Sequence, residues 1–308
     1  MTARPCGTQW TLTTDLDELC VVEVGGTLRS WRHAREEVLA GFAPDAPIDA
    51  GRGQQLIPWP NRIRDGRYTY DGTARQLPIT EVALGNASHG LLRWAPWHLV
   101  DQGENHLTVG VTLHPQPGWS WTLTVTTRYA VGPDGLSVTS RVVNESDTVA
   151  PFGAGWHPYV RTESLSVEKV VLEIPAAEYV TVDDRLLPTG LELVNGTPYD
   201  FREAREVGRS VRLDTAYRGL RADEDGKWRV HVDLPNGTRH TVWGEVEAFP
   251  WLQVFTGKAE AQHAPPHGVA VDSRGDIYVA ELTRTVWARV YGGEPPAEVR
   301  TVVKLRRL

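Results

Sequence analysis

Cysteine is scarce: Cys6 and Cys20 are the only two in 308 residues. Two thiols cannot build a disulfide framework or a zinc site, and their expected setting is a reducing cytoplasm. Long apolar runs are missing, since nothing approaches the roughly eighteen residues that cross a bilayer. The opening Met1 to Trp10 has no apolar stretch of the kind a secretory leader carries. Positive charge is not clustered, and the net charge of -7 argues against a nucleic-acid partner. The ten histidines show no HExxH-like spacing, and there is no P-loop, dinucleotide fingerprint or serine nucleophile elbow. Neither a metal nor an organic cofactor is expected. Methionine and phenylalanine are also rare, at one and five, beside twelve tryptophans. Most of these indoles are expected in the core, with Trp59 and Trp156 set apart because each lies inside a polar motif.

What is present reads as strand. Trp121, Leu123, Val125 and Tyr129 alternate with Thr122, Thr124 and Arg128. Leu136, Val138 and Val142 alternate with Ser137, Thr139 and Arg141, and Trp228, Val230, Val232 and Leu234 with Arg229, His231 and Asp233. A period of two marks half-buried antiparallel strands. Between the runs stand Asp71-Gly72, Asp134-Gly135, Asn195-Gly196, Asp225-Gly226 and Asn236-Gly237, dipeptides that suit tight hairpins. No long amphipathic helix is found. Many short strands with such turns predict an all-β fold, an antiparallel sandwich or barrel.

Three polar clusters interrupt the apolar pattern. In residues 51–63, two prolines bracket Trp59 and Asn61-Arg62 follows at once; the rigid backbone fixes where these hydrogen-bonding side chains point. In residues 86–94, His89 precedes Gly90, a residue that allows close backbone approach to a ligand. In residues 151–159, His157 is locked between Trp156 and Pro158. A histidine titrates near neutrality and serves as acid or base, although on sequence alone a structural imidazole is the commoner account of His89 and an equally good one of His157.

Taken in order, the segments 23–29 (Glu-Val-Gly-Gly-Thr-Leu-Arg), 57–63 (Ile-Pro-Trp-Pro-Asn-Arg-Ile), 86–90 (Asn-Ala-Ser-His-Gly), 155–159 (Gly-Trp-His-Pro-Tyr), 213–217 (Leu-Asp-Thr-Ala-Tyr) and 251–257 (Trp-Leu-Gln-Val-Phe-Thr-Gly) resemble the aldose 1-epimerase family. That resemblance implies a large antiparallel β-sandwich, galactose mutarotase-like, over residues 1–257. It also implies cofactor-free interconversion of the α and β anomers of a free aldose of the glucose or galactose class. Carried over by position, His157 is the proton donor to the ring oxygen. His89 and Arg62 hydrogen-bond the ring oxygen and neighbouring hydroxyls. Asp214 accepts from distal hydroxyls, and Asn61 and Gln253 line the site. By its residues alone, Asp214 reads equally as a turn aspartate.

The C-terminus departs from the family pattern. The glutamate base that the family carries after the Phe-Thr-Gly segment is missing, and Asp272 stands at about the right distance. Residues 267–281 resemble one NHL-type β-propeller blade, with strands at 269–271 and 277–279 and a last strand at 301–305. A domain division at 257/258 is expected, with residues 258–308 completing the sandwich edge. Three readings follow: a mutarotase with His157 and Asp272 as its acid and base, a carbohydrate-binding protein without a base, or an interaction protein with an exposed edge. A phosphorylated hexose is the runner-up substrate, suggested by Arg62, Arg64 and Arg67.

Overall fold

A computed structural model describes residues 4–162 and 167–256, together with the backbone of the strands Ile277–Leu282 and Glu298–Arg307. Asp272 and the expected strand at 269–271 lie outside the described residues. The alternating runs form strands as their patterning requires. Leu123–Gly132 and Gly135–Asn144 pair antiparallel, setting Val125 opposite Val142, Tyr129 opposite Val138 and Val131 opposite Leu136. All six side chains are buried. His106–Leu113 joins on the other side, with Leu107 opposite Tyr129 and Leu113 opposite Leu123. Each such buried aliphatic side chain stabilises the fold by about 1.5–3 kcal/mol relative to exposure.

These strands belong to a nine-stranded sheet in the order His98–Gln102, His106–Leu113, Leu123–Gly132, Gly135–Asn144, Glu298–Arg307, Arg239–Glu245, Lys227–Asp233, Val171–Glu173, Arg205–Glu206. A six-stranded sheet runs Tyr159–Val160, Ile277–Leu282, Trp251–Phe255, Asp214–Leu220, Ala176–Val182, Pro188–Leu193. Gln9–Thr13, Asp17–Val22, Thr27–His33 and Glu36–Glu37 make a smaller sheet. One large apolar core joins residues from all three, from Leu19 and Trp31 through Tyr129 to Tyr217 and Leu252. The fold is an all-β sandwich. Among the described residues the helical pieces are the single 3-10 turns Val82–Leu84 and Val167–Lys169; neither is long or apolar enough to cross a membrane.

The two strands beyond residue 257 lie inside the large sheets. Glu298–Arg307 sits between Gly135–Asn144 and Arg239–Glu245, and Ile277–Leu282 between Tyr159–Val160 and Trp251–Phe255. They contain the strands read from sequence at 277–279 and 301–305.

The turn dipeptides divide into two kinds. Asp71-Gly72, Asp134-Gly135 and Asn236-Gly237 connect paired strands. Asn195-Gly196 and Asp225-Gly226 turn the chain without closing a hairpin, because the segments before them pair elsewhere. Trp59 and Trp156 are core residues. Trp59 packs with Leu77 and Ala87, and Trp156 is buried with its indole N–H donated to the Gly53 carbonyl at 3.1 Å. Cys6 and Cys20 are buried free thiols.

Candidate active site

His89 leaves the short strand Asn86–Ser88, which pairs with Arg62–Arg64 so that Arg62 stands opposite Ser88. Just outside this pair, Asn61 and His89 both adopt left-handed backbone, at φ 60° and 61°. That conformation is uncommon for residues other than glycine and gathers at functional sites. It lets the two residues bond twice: the His89 amide donates to the Asn61 carbonyl at 2.8 Å, and the Asn61 amide donates to His89 Nδ1 at 3.0 Å. A backbone amide can only donate, so Nδ1 carries a lone pair and the ring proton resides on Nε2. His89 is thereby a neutral imidazole with one oriented N–H. Its pKa is held well below the ordinary histidine range by burial, then by Arg93 and Arg62.

Gly90 allows a close approach of backbone to backbone. At φ 76°, a side-chain carbon there would overlap the carbonyl of Ile57, whose oxygen accepts from the Leu91 amide at 2.8 Å. The glycine locks the segment after His89 against the segment before Asn61.

His157 follows the strand Gly155–Trp156, which pairs with Gln55–Leu56. Its amide donates to the Gln54 carbonyl at 3.0 Å and its carbonyl accepts from the Gly53 amide at 2.7 Å, so both sides of its backbone are fixed. The ring is 7% exposed. It meets His89 edge to face at 5.6 Å between centroids and stacks on Tyr159 at 5.4 Å. Burial lowers its pKa well below the usual value, and His89, Arg93 and Arg52 push the same way. Gln54 also sets one of those charges in place: Arg93 Nε donates to Gln54 Oε1 and Gln54 Nε2 donates to the Arg93 carbonyl, both at 2.8 Å.

The remaining candidates form one directed chain. Arg62 Nη1 donates to Asn61 Oδ1 at 3.0 Å; Asn61 Nδ2 donates to Gln253 Oε1 at 3.4 Å; Gln253 Nε2 donates to Asp214 Oδ1 at 2.8 Å. A guanidinium only donates and a carboxylate only accepts, so the ends dictate the orientation of both amides. Asp214 begins Asp214–Leu220 and Gln253 lies in Trp251–Phe255, strands paired in register Asp214 to Phe255 and Ala216 to Gln253. Asp214 is therefore a strand residue and not a turn aspartate. Gln253 is buried, while Asn61, Arg62, His89 and Asp214 keep part of their surface exposed.

Six residues separated by up to 192 positions thus meet in one cluster: Asn61, Arg62, His89, His157, Asp214 and Gln253. Each of the three arginines weighed as a phosphate signal has a protein partner. Arg62 pairs with Glu81, Arg64 with Asp183 and Arg67 with Gln76. Sequence reasoning missed Glu81, Gln54, Arg52 and Arg93. The last three lie within the quoted polar clusters, but a lone polar side chain there does not announce its partner; Glu81 has no local signal.

The sequence profile of a family described as aldose 1-epimerase matches residues 8–275, continuing past position 257. The uncharacterized protein YihR of Escherichia coli (strain K12) is 28% identical over 283 residues, covering 88% of this chain and 89% of its own. An aldose 1-epimerase of the same organism is 28% identical over 262 residues, covering 77% and 74%. Among solved structures, a galactose mutarotase-like protein from Clostridium acetobutylicum superposes with a TM-score of 0.79 at 16% identity, covering 97% of this chain and 95% of that one. A galactose 1-epimerase from Lactobacillus acidophilus NCFM gives 0.76 at 20%, covering 97% and 93%. The structural likeness concerns the fold. With the profile spanning most of the sequence, the chain belongs to the aldose 1-epimerase family.

Proposed function

We propose that this protein is a mutarotase interconverting the α and β anomers of a free hexose of the glucose or galactose class, without a cofactor. The observation that carries the reading is the cluster itself. A buried histidine stands edge to face with a neutral histidine whose N–H is oriented, beside a hydrogen-bonded chain running from a guanidinium to a carboxylate. Such an array offers proton transfer at one end and fixed donors and acceptors for hydroxyls along the other.

In this reading His157 gives a proton to the ring oxygen while a carboxylate takes the proton of the C1 hydroxyl. The C1–O5 bond breaks and a free aldehyde forms. Rotation about C1–C2 and reversal of both transfers close the ring on either face. Burial and neighbouring cations disfavour the imidazolium of His157, so its protonated form is scarce near neutrality and strongly acidic when it forms. His89 Nε2–H and Arg62 hydrogen-bond the ring oxygen and adjacent hydroxyls, Asp214 accepts from distal hydroxyls, and Asn61 and Gln253 line the site. Asp272 is the proposed base. Residues 258–308 supply closing strands to the sandwich of residues 1–257, and the free thiols Cys6 and Cys20 favour a cytoplasmic setting.

The second reading, a sugar-binding protein without a base, rests on the departure of the C-terminal sequence from the family pattern. Anomeric exchange of D-glucose by magnetisation-transfer NMR separates the two. Exchange accelerated by the wild type and lost in Asp272→Ala supports the enzyme with this base. Exchange unchanged by Asp272→Ala removes Asp272 from the mechanism, and bound sugar with no acceleration favours the binding protein.

A further inference from the structure

We infer that Glu81 is a positioning residue for the sugar site, acting through Arg62; the inference rests on the mutarotase reading and deepens it. Arg62 Nε donates to Glu81 Oε2 at 2.8 Å and Arg62 Nη2 to Glu81 Oε1 at 3.0 Å, a two-point fork that fixes the plane of the guanidinium as well as its place. The side chains are only 14% and 22% exposed, so solvent screens the pair weakly. With Nη1 bonded to Asn61, three of the five guanidinium N–H groups are used in fixing its position, and two are left for a ligand.

Glu81 is itself held. Its backbone exchanges hydrogen bonds with Asn86, at 2.9 and 3.2 Å, and the fully buried Asn86 amide donates to Glu81 Oε2 at 3.2 Å. Arg185, from the turn between Ala176–Val182 and Pro188–Leu193, then clamps this loop. It donates to the carbonyls of Leu84 and Gly85 at 2.8 and 2.9 Å and to Asn86 Oδ1 at 3.2 Å. The carboxylate is therefore the fixed origin of the chain Glu81, Arg62, Asn61, Gln253, Asp214. Because each amide is oriented by the donor before it, losing the carboxylate releases the guanidinium and, with it, the orientation of the amides that follow.

The test is a double-mutant cycle on mutarotation with Glu81→Gln, Arg62→Lys and the double variant, with near-UV circular dichroism as the check on folding. Glu81→Gln nearly preserves size but offers one acceptor oxygen in place of two. Its kcat/KM is expected to fall on the order of tenfold, and adding it to Arg62→Lys is expected to cost nothing further. Glu81→Asp, one methylene shorter, is expected to recover part of the loss. An active wild type with Glu81→Gln equal to it, or losses that multiply in the double variant, overturns the inference alone. A folded wild type that neither binds nor interconverts hexoses overturns the mutarotase reading and this inference together.

Discussion

His89 performs two tasks with two nitrogens, and substitution can separate them. Nδ1 satisfies the Asn61 amide, while Nε2–H is the oriented donor. His89→Asn keeps an acceptor near Nδ1 and removes the far donor. It is expected to keep wild-type stability while mutarotation falls about a hundredfold. His89→Gln keeps polarity near Nε2 and leaves the Asn61 amide unpaired, at an expected cost of about 1–3 kcal/mol in urea unfolding. If both variants show the same stability, the bond between Asn61 and Nδ1 does not hold the loop.

At the scale of elements, glycines with similar dihedrals have unequal weight. Gly72, at φ 68° in the hairpin turn, has open space around it, so Gly72→Ala is charged only for its backbone, about 1 kcal/mol. Gly90 adds a collision with the Ile57 carbonyl, and Gly90→Ala is expected to lose clearly more, with activity falling as the Asn61–His89 junction shifts. Equal shifts in the urea midpoint for the two would contradict this. The same contrast explains what could be read beforehand. Strands such as Leu123–Gly132 and Gly135–Asn144 were legible because a two-residue period follows directly from one face being buried. His157, His89, Arg62 and Asn61 stood out in polar clusters but took on roles only through family resemblance, as did Asp214 and Gln253, since no local pattern says that position 61 meets position 253. Glu81 was illegible because its role is defined by a partner 19 residues away across a loop. Trp59 and Trp156 are buried in the core although both lie in polar stretches of the sequence.

For the whole molecule, buried histidines predict an acid-sensitive fold. His240 is 3% exposed and burial lowers its pKa to about 4, while His89 and His157 shift in the same direction. In the unfolded chain each titrates near 6.5. The unfolded state therefore binds more protons below that pH, and stability complete above about 6.5 is lost as pH falls toward 4. For His240 alone the loss is about 3 kcal/mol. Proton uptake on unfolding at pH 5 is expected to fall by about one in His240→Gln; an unchanged uptake would mean that this ring is not held neutral. The sandwich also joins the described parts of the proposed site: His157 and His89 come from loops around the Gln55–Leu56 and Asn86–Ser88 strands, and Asp214 and Gln253 from the six-stranded sheet. The central claim is that this assembly moves protons and that His157 is the donor. Polarimetric relaxation of fresh α-D-glucose and α-D-galactose at low buffer concentration tests it most directly, with wild type beside His157→Ala. Acceleration by the wild type that falls at least about a hundredfold in His157→Ala is expected; acceleration that His157→Ala retains, or none from a folded wild type, would contradict it.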